Sequence, residues 1–427
     1  MKVTTKCPTY HSTIIRQFFY ALIGVVAFAL IPSAQAESSL WDAISSNDVG
    51  NAKTLIALGA DVNQKNRYGN PIIHHAVSIG NAELVELLIS KGADVNAKGE
   101  FDRVALHYAN KKGMAKILLA HGATVEPPTN YGETPLHWAA HGINSMGKQV
   151  DLVEFAETLI KNGANVNKKT GQGRSYRTPL SYAAESNNLA VAKVLISHGA
   201  DVEGDGSSPL SAAGANGDFV EMAQLLVENG AKINASSPTG WHPLMTAAGR
   251  GNIKVVNYLL AQGANPNAAD KNGLTALYSA SGSDYGASAA EALLKHGANV
   301  DATYLSGLTA LHQAASQGAI KVIEVLLAHG AKVDAITNNG TTPLCLAIRL
   351  GAIQKGGRGV AEILLRNGAN PIAKNSRDQL TPFHEAILRG DIDLVKLLIA
   401  YGAKADDHAF RIARGNEMTA LLNSFPQ

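Results

Sequence analysis

Thr134-Pro135-Leu136-His137-Trp138-Ala139 reads as the opening turn of a helix. A threonine hydroxyl accepts a hydrogen bond from a free N–H at a helix start, and proline follows at the one helical position that needs no donor. Leu136 and Ala139 then fall three residues apart and face one way. Weaker copies stand at Thr178-Pro179-Leu180-Ser181, Ser208-Pro209-Leu210-Ser211, Thr309-Ala310-Leu311-His312, Thr342-Pro343-Leu344-Cys345 and Thr381-Pro382-Phe383-His384. About 12 residues before each motif lies a Gly-Ala pair.

The glycines of those pairs are Gly59, Gly92, Gly122, Gly163, Gly199, Gly230, Gly263, Gly297, Gly330, Gly368 and Gly402, with a mean spacing near 34. Four residues before every one sits a leucine, from Leu55 and Leu88 to Leu364 and Leu398. Eleven coincidences in eleven copies mark a structural repeat. In each unit the motif starts a first helix. A short polar turn follows, as at Gly80-Asn81, Gly251-Asn252 and Gly390-Asp391. A second helix then carries residues such as Leu84, Val85 and Leu88, and the glycine of Gly-Ala ends it in the left-handed conformation. Asp61-Val62-Asn63 and its copies run out as a hairpin finger. One unit cannot bury its apolar face alone, so the units stack into a one-dimensional solenoid.

The period and the T-P-L-H-x-A motif resemble the ankyrin repeat, over roughly residues 38–408. The expected fold is an all-α repeat solenoid, an array of helix-turn-helix units with hairpin fingers. Residues 37–408 hold about eleven repeats and residues 409–427 form C-terminal capping helices. The resemblance implies protein binding on a concave surface made by the finger tips and the exposed face of the first helices.

Residues 1–36 are an address. Lys2, Lys6 and Arg16 precede a 14-residue apolar run, Phe18 to Ile31, and Ala34-Gln35-Ala36 follows Pro32. This is the pattern of a secretory signal peptide cleaved between Ala36 and Glu37. The run is shorter than the ~20 residues of a membrane span, so no stable span is expected after cleavage. The expected location is exported, periplasmic or secreted, with a bacterial periplasm favoured. Without this segment the net charge of +2 becomes −1. That balance argues against a nucleic-acid binder, which needs a basic field over phosphates. Cys7 and Cys345 are the only cysteines, which excludes a disulfide scaffold and a cysteine zinc module.

No G-x-S-x-G, H-E-x-x-H, phosphate loop or Cys-x-x-Cys is present, so neither catalytic activity, cofactor nor metal is expected. His74, His107, His137, His312 and His384 fill the motif slot, where the imidazole should tie neighbouring repeats. His121, His198, His296 and His329 stand before Gly-Ala, near a helix C-terminus. Cys345 should be a small buried hydrophobe.

The array departs from its average in places. Gly163 follows Ala139 by 24 positions, where 16 is usual, which lengthens a loop around 142–150. Gly368 follows Ala347 by 21, with Gln354 to Gly359 as an extra loop. The stretch from Ala109 to Gly122 is three residues short. The finger after Gly163 is basic, with Lys168, Lys169, Arg174 and Arg177 around Tyr176. Drift in surface loops and contact with an acidic partner both account for it.

The residue nine after the glycine is aromatic in three successive repeats, Tyr68, Phe101 and Tyr131, and these should sit about 10 Å apart, the spacing of packed helical layers. Trp241 lies at an equivalent finger edge, followed by Leu274 and Leu308. Exposed aromatics in a row are the material of binding hot spots. With Arg103, Glu133 and the basic finger they make the candidate protein-binding set. His75, Tyr108, Trp138 and Tyr182, in the slot after the motif histidine, fit either binding or packing between first helices. The function expected is a monomeric, non-catalytic binding scaffold for one or more proteins. A secreted effector using the repeats for targeting, and an assembly factor, are the alternatives.

Overall fold

The computed structural model describes residues 39–142, 152–171, 176–204, 208–351, 357–376 and 379–424. Residues 1–38, with the expected cleavage pair Ala36 and Glu37, Arg174 and most of the loop around 142–150 lie outside them. The chain divides into two compact units, residues 1–204 and 205–427.

In the first unit the first helices are Leu40–Ser45, Ile72–Ile79, the 3-10 turn Ala105–Tyr108, Pro135–His141 and Pro179–Glu185. Each packs on the next. The second helices, Val49–Ala57, Ala82–Ser90, Met114–Ala120, Val153–Lys161 and Leu189–Ser197, form a parallel layer. The second unit repeats the plan from Pro209–Ala213 and Val220–Glu228 to Pro382–Arg389 and Ile392–Ala400. It closes with Asp407–Ile412 and Asn416–Asn423. The all-α repeat solenoid is the architecture of both. Fingers are largely irregular, and one in the second unit forms a two-stranded antiparallel ladder, Thr303–Tyr304 with Leu308–Thr309.

The leucine and glycine of the repeat are two halves of one helix stop. Every Gly-Ala glycine has φ between 81° and 98°. The following alanine N–H turns back to the leucine carbonyl five residues earlier, as in Ala93 to Leu88 (3.0 Å) and Ala264 to Leu259 (2.9 Å). This is the Schellman closure. A Cβ on Gly263 would meet nothing within 4 Å, so the left-handed backbone alone demands glycine there. Ten of the eleven leucines are buried completely. Leu55 is half-buried, because the described residues place no repeat before it.

Two length anomalies fall differently from expectation. Gly357-Arg358-Gly359 is not loop but the first turn of the helix Gly357–Arg366, and Arg358 pairs with Asp393 at 2.8 Å. The short repeat is short in its first helix: Ala105–Tyr108 makes only a 3-10 turn.

An asparagine four residues after the glycine staples successive fingers. Asn63 donates to the Gly92 carbonyl (3.0 Å) and accepts from Asp94 N–H (2.9 Å). Asn96, Asn167, Asn234 and Asn267 repeat the bracket one repeat further on.

Candidate functional site

The motif histidine is the joint between helix and finger. The Thr134 N–H donates to Nδ1 of His137 (3.1 Å), so the ring proton sits on Nε2 and is donated to the Arg177 carbonyl (3.2 Å). His107 does the same between Val104 and Glu133, and His312 between Thr309 and Thr341. Burial pushes His74, His107 and His137 down to about 4, with the backbone hydrogen bonds opposing it. His121, His198, His296 and His329 are helix C-cap residues, and the His198 and His296 rings bond the carbonyl four residues back. Cys345 is fully buried.

The carbonyls held this way at 133, 177 and 341 belong to one recurring position, the residue that closes each finger just before the next helix cap. Its backbone pairs across the finger, as in Thr129 to Glu133 (2.8 Å), Ser237 to Trp241 (2.9 Å) and Asp270 to Leu274 (3.0 Å). Arg103, Glu133 and Arg177 occupy it in the first unit; Trp241, Leu274 and Leu308 occupy it in the second. The backbone is fixed by the fold and the side chain is left to vary.

In the first unit these side chains meet the aromatics of the first helices. The Arg103 guanidinium lies 4.5 Å from the centre of the Trp138 ring and 5.2 Å from that of Phe101. The Arg177 guanidinium lies 4.1 Å over Tyr182 and pairs with Glu185. Glu133 is buried and accepts the Tyr182 hydroxyl at 2.7 Å. Burial, with the Glu133 charge beside it, raises the Tyr182 pKa. Glu133 and Arg177 therefore serve packing between repeats. So does the slot after the motif histidine: Trp41 stacks on His75 (5.6 Å), His74 lies against Tyr108 (5.2 Å), and His137 against Tyr182 (5.4 Å).

The finger aromatics differ in kind. Tyr68 is 41% exposed, Tyr131 47% and Trp241 41%. Phe101 is half-buried and takes φ +59°. The Phe101 and Tyr131 ring centres stand 6.0 Å apart, not 10 Å, because the two side chains tilt onto each other across neighbouring fingers. Tyr68 lies apart from that pair, with Arg67 4.8 Å over its ring. Tyr176 and Lys169 are exposed and Lys168 half-exposed at the basic finger. Leu274 and Leu308 are half-buried.

A cleft of about 240 Å³ opens on the second-helix side of the first unit, beside the shortened repeat, lined by Asn110, Lys111, Lys112, Lys116, Glu154 and Phe155 among others. Among the described residues no group of three or more His, Cys, Asp or Glu could hold a metal ion, and no helix is long and apolar enough to cross a membrane.

Family models described as ankyrin repeats match residues 22–99, 40–126, 73–170, 148–237, 211–304, 283–375 and 352–399. Among curated proteins, a putative ankyrin repeat protein FPV014 of Fowlpox virus is 30% identical over 201 residues, 46% of this chain and 37% of its own length. A Caenorhabditis elegans homolog of transient receptor potential cation channel subfamily A member 1 is 36% identical over 166 residues, 38% of this chain and 13% of its own. The ankyrin repeat and KH domain-containing protein mask-1 of the same animal is 29% identical over 291 residues, 67% of this chain and 9% of its own. The chain thus spans well under half the length of each of these relatives.

Proposed function

Since the chain belongs to the ankyrin-repeat family of protein-interaction scaffolds, we propose that it is a non-catalytic scaffold binding a protein partner along the finger and first-helix face of residues 39–204. The observation that carries this is the exposed aromatic set Tyr68 and Tyr131, with Phe101 leaning on Tyr131, on fingers that His74 ties at the Ala97 carbonyl and His107 at the Glu133 carbonyl. Rigid, exposed aromatics give contact area at low entropic cost. Trp241 offers a second anchor in the other unit, and Lys168 and Lys169 a basic flank; Arg174, the third basic residue of that set, lies outside the described residues.

Tyr131→Ala, and separately Trp241→Ala, should leave folding stability within about 1 kcal/mol and weaken partner binding by on the order of 2 kcal/mol. Thermal melts and calorimetric titration check the two halves. A loss of several kcal/mol in stability would make these core residues instead.

The address segment supports a further proposal, that the protein is exported to a periplasm or secreted after cleavage behind Ala36. N-terminal sequencing should find Glu37 first. An intact Met1 on the exported protein would exclude it.

A further inference from the structure

Resting on that reading, we propose that Arg103 is the anchor of the face, and that it takes the side-chain carboxylate of an Asp or Glu carried, among apolar neighbours, by an extended segment of the partner protein.

Arg103 and Arg177 hold the same finger-closing position, yet their surroundings differ. Arg177 has its counter-ion in Glu185. Arg103 has no carboxylate within ion-pair distance among the described residues. The acid at the corresponding position of the next finger, Glu133, is taken by the Tyr182 hydroxyl. The Arg103 guanidinium is instead held between the faces of Phe101 and Trp138, and its charge opposes the rise that burial gives the Tyr108 pKa. Its charge is felt by the neighbourhood, lowering the affinity of His107 for a proton beyond the effect of burial.

Two N–H donors in this cluster are shielded from water and have no acceptor among the described residues: Nε of Arg103 and Nε1 of Trp138. Buried donors without acceptors are costly and uncommon in native folds. A carboxylate supplies up to four acceptor sites, and the planar guanidinium fork matches its geometry.

The shielding also selects the source of the carboxylate. A free anion arrives with its hydration shell and meets rings. An acidic residue arriving with apolar neighbours can lay these on Phe101 and the exposed Tyr131 while its oxygens meet the half-exposed Arg103 guanidinium beside the Trp138 indole. Most of the charges nearby agree with an acidic visitor, the exposed Glu100, whose charge reaches Tyr108, being the exception. Arg67 lies over Tyr68 in the preceding finger, while Asp102 pairs with Lys98 (3.4 Å) and Glu126 accepts from the Asn165 N–H (2.6 Å).

The test uses the full chain labelled with ¹⁵N, whose three tryptophans give three indole N–H resonances; Trp138→Phe assigns the relevant one. The probes are two acetylated and amidated decapeptide libraries with randomised Leu, Phe and Tyr flanks, one with a fixed central Glu and the other with Gln. The Glu library should shift the Trp138 indole resonance saturably and bind at least tenfold tighter than the Gln library. Arg103→Gln should abolish that tenfold difference, Arg103→Lys should remove most of it, and Arg250→Gln should leave it intact, all with unchanged melting temperature.

Equal binding of the two libraries with the same Trp138 shift would overturn the carboxylate anchor while the protein-binding face stands. No shift from either library would overturn both. Binding of a third library, with the central Gln and a free C-terminal carboxylate, as tightly as the Glu library would overturn the side-chain assignment. Tighter Arg103-dependent binding of a uridine 20-mer than of the Glu library would overturn a protein as the occupant.

Discussion

His137 uses both ring nitrogens to hold two backbones, and its neutral form is the one that fits: Nδ1 must accept and Nε2 must donate. His74 shows what happens when one contact is missing. Its cap residue is Pro71, which has no N–H, and Nδ1 is left buried without a partner. The direction of the acid response follows. In the folded chain His74, His107, His137 and His141 titrate near 4, below the ordinary 6.5, with burial as the largest cause in each. The unfolded chain therefore binds more protons between those limits. Stability is complete above pH 6.5 and is lost as pH falls from 6.5 through 4, by up to roughly 3 kcal/mol for each histidine. All four lie in residues 39–204, so the urea midpoint of that unit should fall steeply between pH 7 and 4.5, and His137→Gln should flatten the slope. A midpoint constant over that range would contradict the assignment.

The regular elements were legible because their cause is local. A leucine four residues before a glycine is the signature of a Schellman stop, and it recurs in every unit. The exceptions have local causes too. Val104-Ala105-Leu106-His107 keeps the histidine but lacks the Thr-Pro start, and the repeat is too short for a full first helix. Gly357 and Gly359 are poor helix formers read as loop, yet Arg358 gains Asp393 on the neighbouring helix and the turn is helical. The candidate site was legible only in part. The exposure of Tyr68 and Tyr131 followed from the filled core slots. That Arg103, Glu133 and Arg177 share one structural position needed the finger register, which unequal finger lengths conceal in the sequence. The bracket role of Asn63 and its copies was hidden because an asparagine in a turn already has a local explanation. At the chain end, Asp407–Ile412 packs on Pro382–Arg389, with Asp406 capping it and accepting from His384 at 2.9 Å. Ala409, Met418 and Leu422 are buried. Deleting residues 409–427 should uncover apolar surface around Leu397 and Leu398, lower the melting temperature by at least about 5 °C and cause association on sedimentation. A truncated chain that stays monomeric with an unchanged melt would show that these helices cap nothing.

At the scale of the molecule, the repeat leaves a consistent division of labour. Leucines and alanines fill the layers, histidines and asparagines tie finger to finger through backbone groups, and the tip positions, with those finger-closing positions not taken up in packing as Glu133 and Arg177 are, are left for recognition. In residues 39–204 those positions hold aromatics and arginines; in residues 208–424 they hold Trp241, Leu274 and Leu308, with Leu305, Ile336 and Ile372 exposed. On the function proposed above, a protein is bound on the finger face of the first unit. The most direct test of that binding is site-specific photocrosslinking in the native cell, with a benzoylphenylalanine placed at Tyr131 and, as the comparison, at Leu58, which is 80% exposed at the end of a second helix in the same unit. A discrete protein adduct should form from position 131 and none from position 58. The same adduct from both positions, or one from position 58 alone, would contradict it.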